Sequence, residues 1–361
     1  MKKALKIILL LLLAIVVLAL VYLAYVLIDY HRIGDQTLPV ARANARQPAA
    51  GESYDIVSWN IGFGAYEADY GFFMDGGTQS RAWSRERLAA NLDAIGAQLL
   101  AQDADLLLVQ EVDTDATRSY HVQEYEVLQE ALWDGRAYDR VFVQNYDSPY
   151  LMYPILRPHG ASRSGMATFA DFAIDSASRV ELPIETGFTR FLDLDRCYSR
   201  SVIPTAEGKQ LVLYNLHLSA YTSDGSIATE QLKLLLADMQ GEYQAGNYCI
   251  AGGDFNKDLL GNSAAWFGAG DKEYTWAQPI PPGVFDGCDI RLVAPLDEAA
   301  PVPSCRNADG PYHPGQYVLT VDGFLVSPNV LVEESEVLDF GFACSDHNPV
   351  RMRFTLLDGE A

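Results

Sequence analysis

Positive charge is scarce in this chain of 361 residues, in which 26 Lys and Arg stand against 48 Asp and Glu for a formal net charge of −22. The basic residues are thinly spread and form no patch or stripe, so the electrostatic footprint that holds a polyphosphate backbone is missing. That disfavours a processive nuclease, and the acidity itself is accounted for by the solubility of an exported protein. Cysteine is sparse as well: Cys197, Cys249, Cys288, Cys305 and Cys344 form no CxxC pair. With thiolate pairs absent and six histidines in all, a zinc site is not expected. An odd count leaves at least one thiol outside any intramolecular bridge. Cys249, in the apolar run YCIAGG, reads as a core residue. Cys288 and Cys305 flank a Pro-rich stretch and either close it as a disulfide in an oxidising compartment or stay free. Internal repeats are absent too. Apolar residues at 49% and charged residues at 20% are ordinary globular values, so a sizeable core is expected.

Only one long apolar run exists. From Leu5 to Ile28 a single charge, Lys6, interrupts a stretch long enough to cross a hydrocarbon layer as a helix. Lys2, Lys3 and Lys6 precede it, which by the positive-inside rule leaves the N-terminus cytoplasmic and the rest of the chain outside. A cleaved signal peptide would have a shorter apolar region and a small-x-small cleavage site, whereas Tyr22, Tyr25 and Tyr30 occupy the exit here. The expectation is therefore a single-pass anchor over 1–28. Residues 29–53, rich in Pro, Ala, Arg, Gln and Gly without apolar periodicity, read as a tether, and one catalytic domain is expected over 54–361.

Within that body, YDIVSWN (54–60) alternates as a strand does and is followed by Gly62 and Gly64. Residues 84–102 place Leu88, Leu92, Ile95 and Leu99 on one side behind a potential Ser84 cap and predict a helix. The run DLLLVQEV (105–112) predicts a buried strand. Further strands are expected at 138–144, 165–172, 179–182, 200–203, 210–217, 248–252, 320–326, 329–337 and 349–356, with a helix over 226–243. Many strands with few helices point to an α/β (α+β) four-layered sandwich, two mixed sheets face to face with helices outside. The stretch 264–317 carries Pro279, Pro281, Pro282, Pro295, Pro301, Pro303, Pro311 and Pro314 and is irregular. It reads either as a substrate-side excursion or as a plain surface insertion. Its aromatics Tyr274, Trp276, Phe285, Tyr312 and Tyr317 suit either an interfacial surface or packing onto the body.

Polar residues recur where apolar strands end. Asn60 ends YDIVSWN, Glu111 ends DLLLVQE, His217 ends LVLYNLH, and Asp254 and Asn256 follow CIAGG. Asp322 lies in LTVDGFLV, and Asp346 and His347 precede the last strand. Singly, each would be a surface or capping residue; together they offer Glu111, Asp254 and Asp346 to one cavity, with two amides, two imidazoles and Asp322. Hard oxygen ligands of this kind suit magnesium, manganese or calcium, and a magnesium ion that keeps part of its shell for water and substrate calls for a phosphate ester.

In these motifs, SWNIG, LLLVQEV, YNLHLSAY, GGDFN, TVDGFLV and SDHNPV in that order over about 54–356, the chain resembles the endonuclease/exonuclease/phosphatase superfamily. GGDFN followed by SDHNPV is the most specific pair. The resemblance implies a metal-binding Glu111 with Asn60 and Asp346 supporting the metal and phosphate shell. It implies Asp254 as the group that orients and deprotonates the attacking water, and Asn256 as a holder of a phosphate oxygen. His347 is implied to be held by Asp322 and to stabilise the transition state, with His217 donating to the phosphate or the leaving oxygen. The region 144–165, with Arg157, His159 and Arg163, has no assignable counterpart, and Arg190, Arg196 and Arg200 are candidates for substrate contact. His31, His121 and His313 have no motif around them and are expected at the surface. The leading expectation is hydrolysis of a phosphodiester or phosphomonoester on a lipid head group or small metabolite. Its rivals are an extracellular nuclease, lowered by the missing basic stripe, and an inactive surface binding module, which would have lost some of these residues. No protein partner is implied.

Overall fold

The computed structural model describes residues 2–133, 136–187, 195–220, 225–268 and 276–358. In chain order its elements are α1 (Lys2–Asp29), β1 (Gln36–Leu38), β2 (Val40–Ala41), β3 (Ser53–Asn60), α2 (Arg85–Ala101), β4 (Leu106–Ala116) and α3 (Glu124–Ala131). Next come β5 (Asp139–Leu151), β6 (Gly160–Ala170), β7 (Ser176–Glu181), β8 (Cys197–Pro204), β9 (Gln210–His217), α4 (Ser226–Gln244) and β10 (Tyr248–Asp254). The last are α5 (Ser263–Phe267), β11 (Arg291–Val293), β12 (Cys305–Arg306), β13 (Val318–Leu319), β14 (Asp322–Val326), β15 (Val330–Val337) and β16 (Val350–Leu356). Among the described residues they make a seven-stranded sheet in the order β1-β7-β8-β9-β10-β14-β11, another in the order β15-β16-β3-β4-β6-β5-β2, and the small pair β12-β13. Both large sheets are mixed: β9 with β10 and β3 with β4 run parallel, the other pairs antiparallel.

Strict alternation of buried side chains builds the layers. Ile56, Leu106, Leu108, Leu211, Leu213, Ile250, Phe324 and Met352 point between the sheets and form the central core. The residues between them point outward. Val57, Trp59, Leu107 and Val109 meet Leu88, Leu92, Ile95 and Leu99 of α2, while Val212, Tyr214, Cys249 and Ala251 meet Leu232, Leu235 and Met239 of α4. Strands covered on both faces carry continuous apolar runs, and LLLV and CIA are such runs. Ser84 caps α2 as expected, accepting from Arg87 N–H at 3.2 Å. The result is the four-layered α/β/β/α sandwich.

Residues 29–53 do not hang free as a tether. β1 adds to the edge of the first sheet beside β7, and β2 adds to the edge of the second beside β5. Arg179, buried, donates to the Gly34 carbonyl at 3.1 Å, and Arg32 meets Glu181 at 2.7 Å. Strands of two or three residues have no readable period, and these form because they cap exposed sheet edges. Nor do Cys288 and Cys305 pair: all five cysteines are free, Cys288 lying 3.4 Å from Gln240 Oε1 and Cys305 against His347. Cys249 is buried in the core as its context predicts.

Two glycines set how closely the layers approach at β10. A Cβ on Gly252 would lie 2.8 Å from Phe324 and 2.9 Å from Leu108, and one on Gly253, whose φ is 151°, would lie 2.0 Å from the Leu216 carbonyl oxygen. Gly253→Ala is expected to destabilise the domain by roughly 2–5 kcal/mol, through backbone strain and overpacking together. Thermal melting of the detergent-purified full chain checks this; an unchanged melting temperature would mean that β9 and β10 are not in this register.

Candidate active site

Strand register assembles the site. In the first sheet, Asp254 of β10 is directly opposite His217 of β9 on one side and Asp322 of β14 on the other, so the ends of three adjacent strands present their polar residues in one row. In the second sheet Asn60 ends β3, paired with Gln110, the residue before Glu111. The loop Ser345–Asn348 bridges the two sheets. Ser345 Oγ donates to the Asn60 carbonyl at 2.8 Å, and Trp59 Nε1 donates to the His347 carbonyl at 2.8 Å. The last strand's entry is thereby tied to the end of β3.

His347 stands between two carboxylates. Its Nδ1 donates to Asp322 Oδ2 at 2.8 Å, and its Nε2 lies 3.7 Å from Asp254 Oδ2. Burial alone would push this imidazole down, yet Asp322, with Cys305 and Asp254 adding to it, holds it well above the ordinary histidine value. Asp322 is fixed from behind: Ser304 Oγ donates to its Oδ2 at 2.7 Å, while accepting from Val321 N–H at 2.9 Å and Asp322 N–H at 3.1 Å. On the other flank His217 Nε2 is 3.5 Å from Asp254 Oδ2. Burial, reinforced by Arg196 and His347, holds His217 well below its usual value, so it is neutral, and its Nδ1 is buried without a hydrogen-bond partner. Asp254 is pushed up to about 7 by burial, against the pull of His347.

The second group gathers at β3 and β4. Asn60 Nδ2 donates to Glu111 Oε1 at 3.2 Å and to Asp254 Oδ2 at 3.0 Å, and its Oδ1 accepts from Gly62 N–H at 3.0 Å. That N–H fixes which end of the amide is oxygen. Asn60 therefore clamps two carboxylates together, turning its amide nitrogen toward them. Glu111 has φ 56°, rare for a residue with a side chain, at a point where the β4–β6 register slips between Val109 and Val112. Such a bulge re-aims a side chain, here into the cleft. Asp346 is pushed up to about 6, by burial first and by Glu111 among its neighbours.

Whether these residues suit a divalent cation is decided by their chemistry. Glu111 and Asp346 both line the cleft, and the Asp346 carboxyl is raised first by burial and further by Glu111, against the pull of His347 and Arg306. Hard oxygen donors of this kind fit magnesium, manganese or calcium. Asp254, Asp322 and His347 also offer donor atoms within 4.8 Å of one another. In that cluster, however, Asp322 and His347 already satisfy each other, so the cluster is better described as a hydrogen-bonded pair facing a third acid.

The expected site residues converge on one cleft, with Asn60 bonded to Asp254 in its wall and Asp322 behind His347. Asn256 follows Asp254 at φ 49°, a conformation asparagine tolerates. Its N–H donates to Asp254 Oδ1 at 2.8 Å, and one amide hydrogen goes to the Leu218 carbonyl at 2.8 Å. Of the arginine candidates, Arg196 is buried in the cleft wall and donates to the His217 carbonyl at 3.3 Å. Arg200 instead pairs with Glu242 of α4, and Arg190 lies outside the described residues. Arg157 is bound to Gln79 at 2.8 Å and Arg163 is half-exposed beside Asp147 at 3.5 Å, whereas His159 enters the cleft. His31 and His121 are exposed beside Asp147 and Asp115, and His313 is exposed.

Sequence reasoning missed Arg118, which lines the cleft while held bidentate by Asp113 at 2.8 and 3.0 Å and stacked 4.0 Å from the Phe63 ring. The only hint was DxxxxR after the apolar run, too common to single out. The Pro-rich stretch supplies one wall, through Trp276 and Cys305–Ala308. Its other described aromatics pack onto the body: Phe285 under α4, Tyr312 edge-on to Phe342 and Tyr317 buried, with Tyr274 outside the described residues.

Residues 57–347 match the family model described as the Endonuclease/Exonuclease/phosphatase family. No curated protein matches the sequence. Among solved structures, an endonuclease/exonuclease/phosphatase from Beutenbergia cavernae DSM 12333 is similar at TM-score 0.58 and 18% identity, over 86% of this chain and 72% of its own. ANGEL2, a 2′,3′-cyclic phosphatase, follows at 0.55 and 16%, over 88% of this chain and 98% of its own. The catalytic domain of human Nocturnin is similar at 0.51 and 18%, over 88% and 97%. At such identities these likenesses speak for the fold alone.

The Asp322–His347 contact makes a prediction that needs no substrate. In chelator-treated protein with ring-labelled histidine, Asp322→Asn is expected to lower the titration midpoint of His347, because the neutral amide no longer favours the imidazolium. An unchanged midpoint by NMR would show that the carboxylate does not hold the ring charged.

Proposed function

This chain belongs to the endonuclease/exonuclease/phosphatase family, whose members hydrolyse phosphoester bonds, and we propose that it is a divalent-cation-dependent phosphoesterase working by in-line attack of water. The observation that carries this reading is the convergence in one cleft of Glu111, Asp254 and Asp346 with an imidazole, His347, charged by Asp322. In-line displacement at phosphorus needs a base on one side, a charge sink around the equatorial oxygens, and assistance to the leaving oxygen on the other.

Asp254 is the base. Pushed up to about 7, its carboxylate is matched to taking a proton from water near neutrality, and the Asn256 N–H and Asn60 amide hold it in place. His347, kept charged by Asp322, donates to the oxygens on which charge develops. Neutral His217 adds a donor toward the phosphate or the leaving oxygen. Asn256 keeps one amide hydrogen for a phosphate oxygen, since the other goes to the Leu218 carbonyl. Glu111 and Asp346 are the residues that would hold a magnesium or manganese ion, or calcium, with Asn60 orienting Glu111. When bound, such an ion draws charge from the phosphate and the leaving oxygen.

For location, the reading is a single-pass protein with a cytoplasmic N-terminus and its catalytic domain outside. α1 is long and apolar enough to cross a membrane, with lysines only at its start. For substrate, a net charge of −22 without a basic stripe favours a lipid head group or small phosphoester over long nucleic acid.

In the detergent-purified full chain, chelator or Glu111→Gln is expected to lower hydrolysis about a hundredfold to ten-thousandfold, on the order of 3–5 kcal/mol, without unfolding the domain. Full activity in either condition would sink the cation-dependent mechanism. The substrate reading is checked by comparing phosphoinositide or sphingomyelin vesicles, sugar and nucleotide phosphates, and plasmid DNA at one magnesium and salt concentration. The first two classes are expected to be preferred; plasmid cleavage at the rate of the best small substrate would make the protein an anchored nuclease.

A further inference from the structure

The hairpin between β5 and β6 ends in apolar side chains that the body leaves largely exposed. Met152 is 53% exposed, Tyr153 68%, Ile155 81% and Leu156 100%. A soluble domain rarely offers a contiguous apolar tip of this kind without a partner. The tip is also held firmly from its base. Arg157 donates to Gln79 Oε1 at 2.8 Å, to the Ala82 carbonyl at 2.7 Å and to Tyr120 Oη at 3.1 Å, and the His159 N–H donates to the Tyr153 carbonyl at 3.1 Å. The loop is therefore constrained to display these residues.

Its neighbour identifies the partner. Tyr22 Oη of α1 donates to the Tyr150 carbonyl at 3.1 Å and accepts from Met152 N–H at 3.2 Å, and Tyr25 Oη accepts from Tyr150 N–H at 2.9 Å. With a rise of about 1.5 Å per residue, a hydrocarbon layer about 30 Å thick takes up about 20 residues, so a span that starts after Lys6 reaches its far boundary near Val26. Tyr22 and Tyr25 thus sit at the depth where tyrosines gather, between tails and head groups. The hairpin backbone bonded to them lies at the same depth.

We propose that Met152, Tyr153, Ile155 and Leu156 form a second membrane contact, entering the interfacial layer of the bilayer that α1 crosses. This inference rests on α1 spanning the membrane. Its consequence is orientation. Tyr153 packs on Phe73 at 5.7 Å, Phe73 packs on His159 at 6.0 Å, and His159, Phe72 and Met74 line the cleft. An apolar path thus runs from the tip to the mouth of the site, which this contact holds at the lipid surface, where a phosphoester on a lipid head group arrives by lateral diffusion.

The test uses the full chain reconstituted in phosphatidylcholine vesicles with brominated acyl chains. Leu156→Trp is compared with Leu331→Trp, which puts an indole on β15 at the opposite edge of the same sheet. Over the wild-type background, most of the emission added by Leu156→Trp is expected to be quenched and that added by Leu331→Trp to survive. Protein that floats with the vesicles while the two variants are quenched alike, or neither is, overturns the hairpin contact alone. This includes the case in which a second copy or another protein covers the tip. Protein that fails to float overturns the anchoring and the contact together.

Discussion

The placement of a charged His347 between Asp254 and Asp322 is the interaction on which the site depends. Antiparallel pairing of β10 with β14 sets these two carboxylates directly opposite each other in a buried row. Two negative charges about 5 Å apart repel by roughly 3 kcal/mol at an effective dielectric near 20, and opposed like charges destabilise a sheet. The imidazole enters from the other sheet, takes Asp322 at 2.8 Å and faces Asp254 at 3.7 Å. It therefore joins the two halves of the sandwich at the point where the first sheet would otherwise hold two opposed carboxylates without a counter-charge between them.

That joint explains several otherwise separate details. Ser345 and Trp59 hold the loop carrying His347 to the end of β3, and Ser304 holds Asp322. Gly252 and Gly253 let β10 approach Leu108 across the core and Leu216 alongside closely enough for the row to meet the loop. Left-handed backbone turns Glu111, at the bulge within β4, and Asn256, just past the end of β10, toward the same space. Residues with side chains held in that region cost free energy, and they persist where surrounding packing over-determines them. Both lie beside Asp254 or its clamp, Asn60.

A second constraint operates at the sheet edges. Residues leaving α1 do not cross empty space to reach the body; they close one edge of each sheet, with Arg179 and Arg32 securing the path. The tyrosines at the end of α1 then meet the β5–β6 hairpin. A site attached to α1 this closely has a preferred orientation to that helix, not the free rotation of a domain on a flexible linker.

How much was legible beforehand follows from the range of each interaction. The apolar runs of β3, β4, β9 and β10, the periodicity of α2 and α4, and the polar residues ending those strands are local patterns, and they determined the sandwich and named the residues of the cleft. Motif resemblance added their order and the expectation of phosphoester chemistry. Local pattern carries no register, however, and register decided the rest. It set His217, Asp254 and Asp322 in one row and turned the amide nitrogen of Asn60 toward two carboxylates. It also brought Arg118 and Arg196 into the cleft while sending Arg200 to Glu242. Strands as short as β1 and β2 have no period of their own and exist because unpaired edges need partners. The apolar surface moved for the same reason: Phe285, Tyr312 and Tyr317 of the Pro-rich stretch found partners on the body, while Met152, Ile155 and Leu156 stand exposed, which only three-dimensional packing singles out.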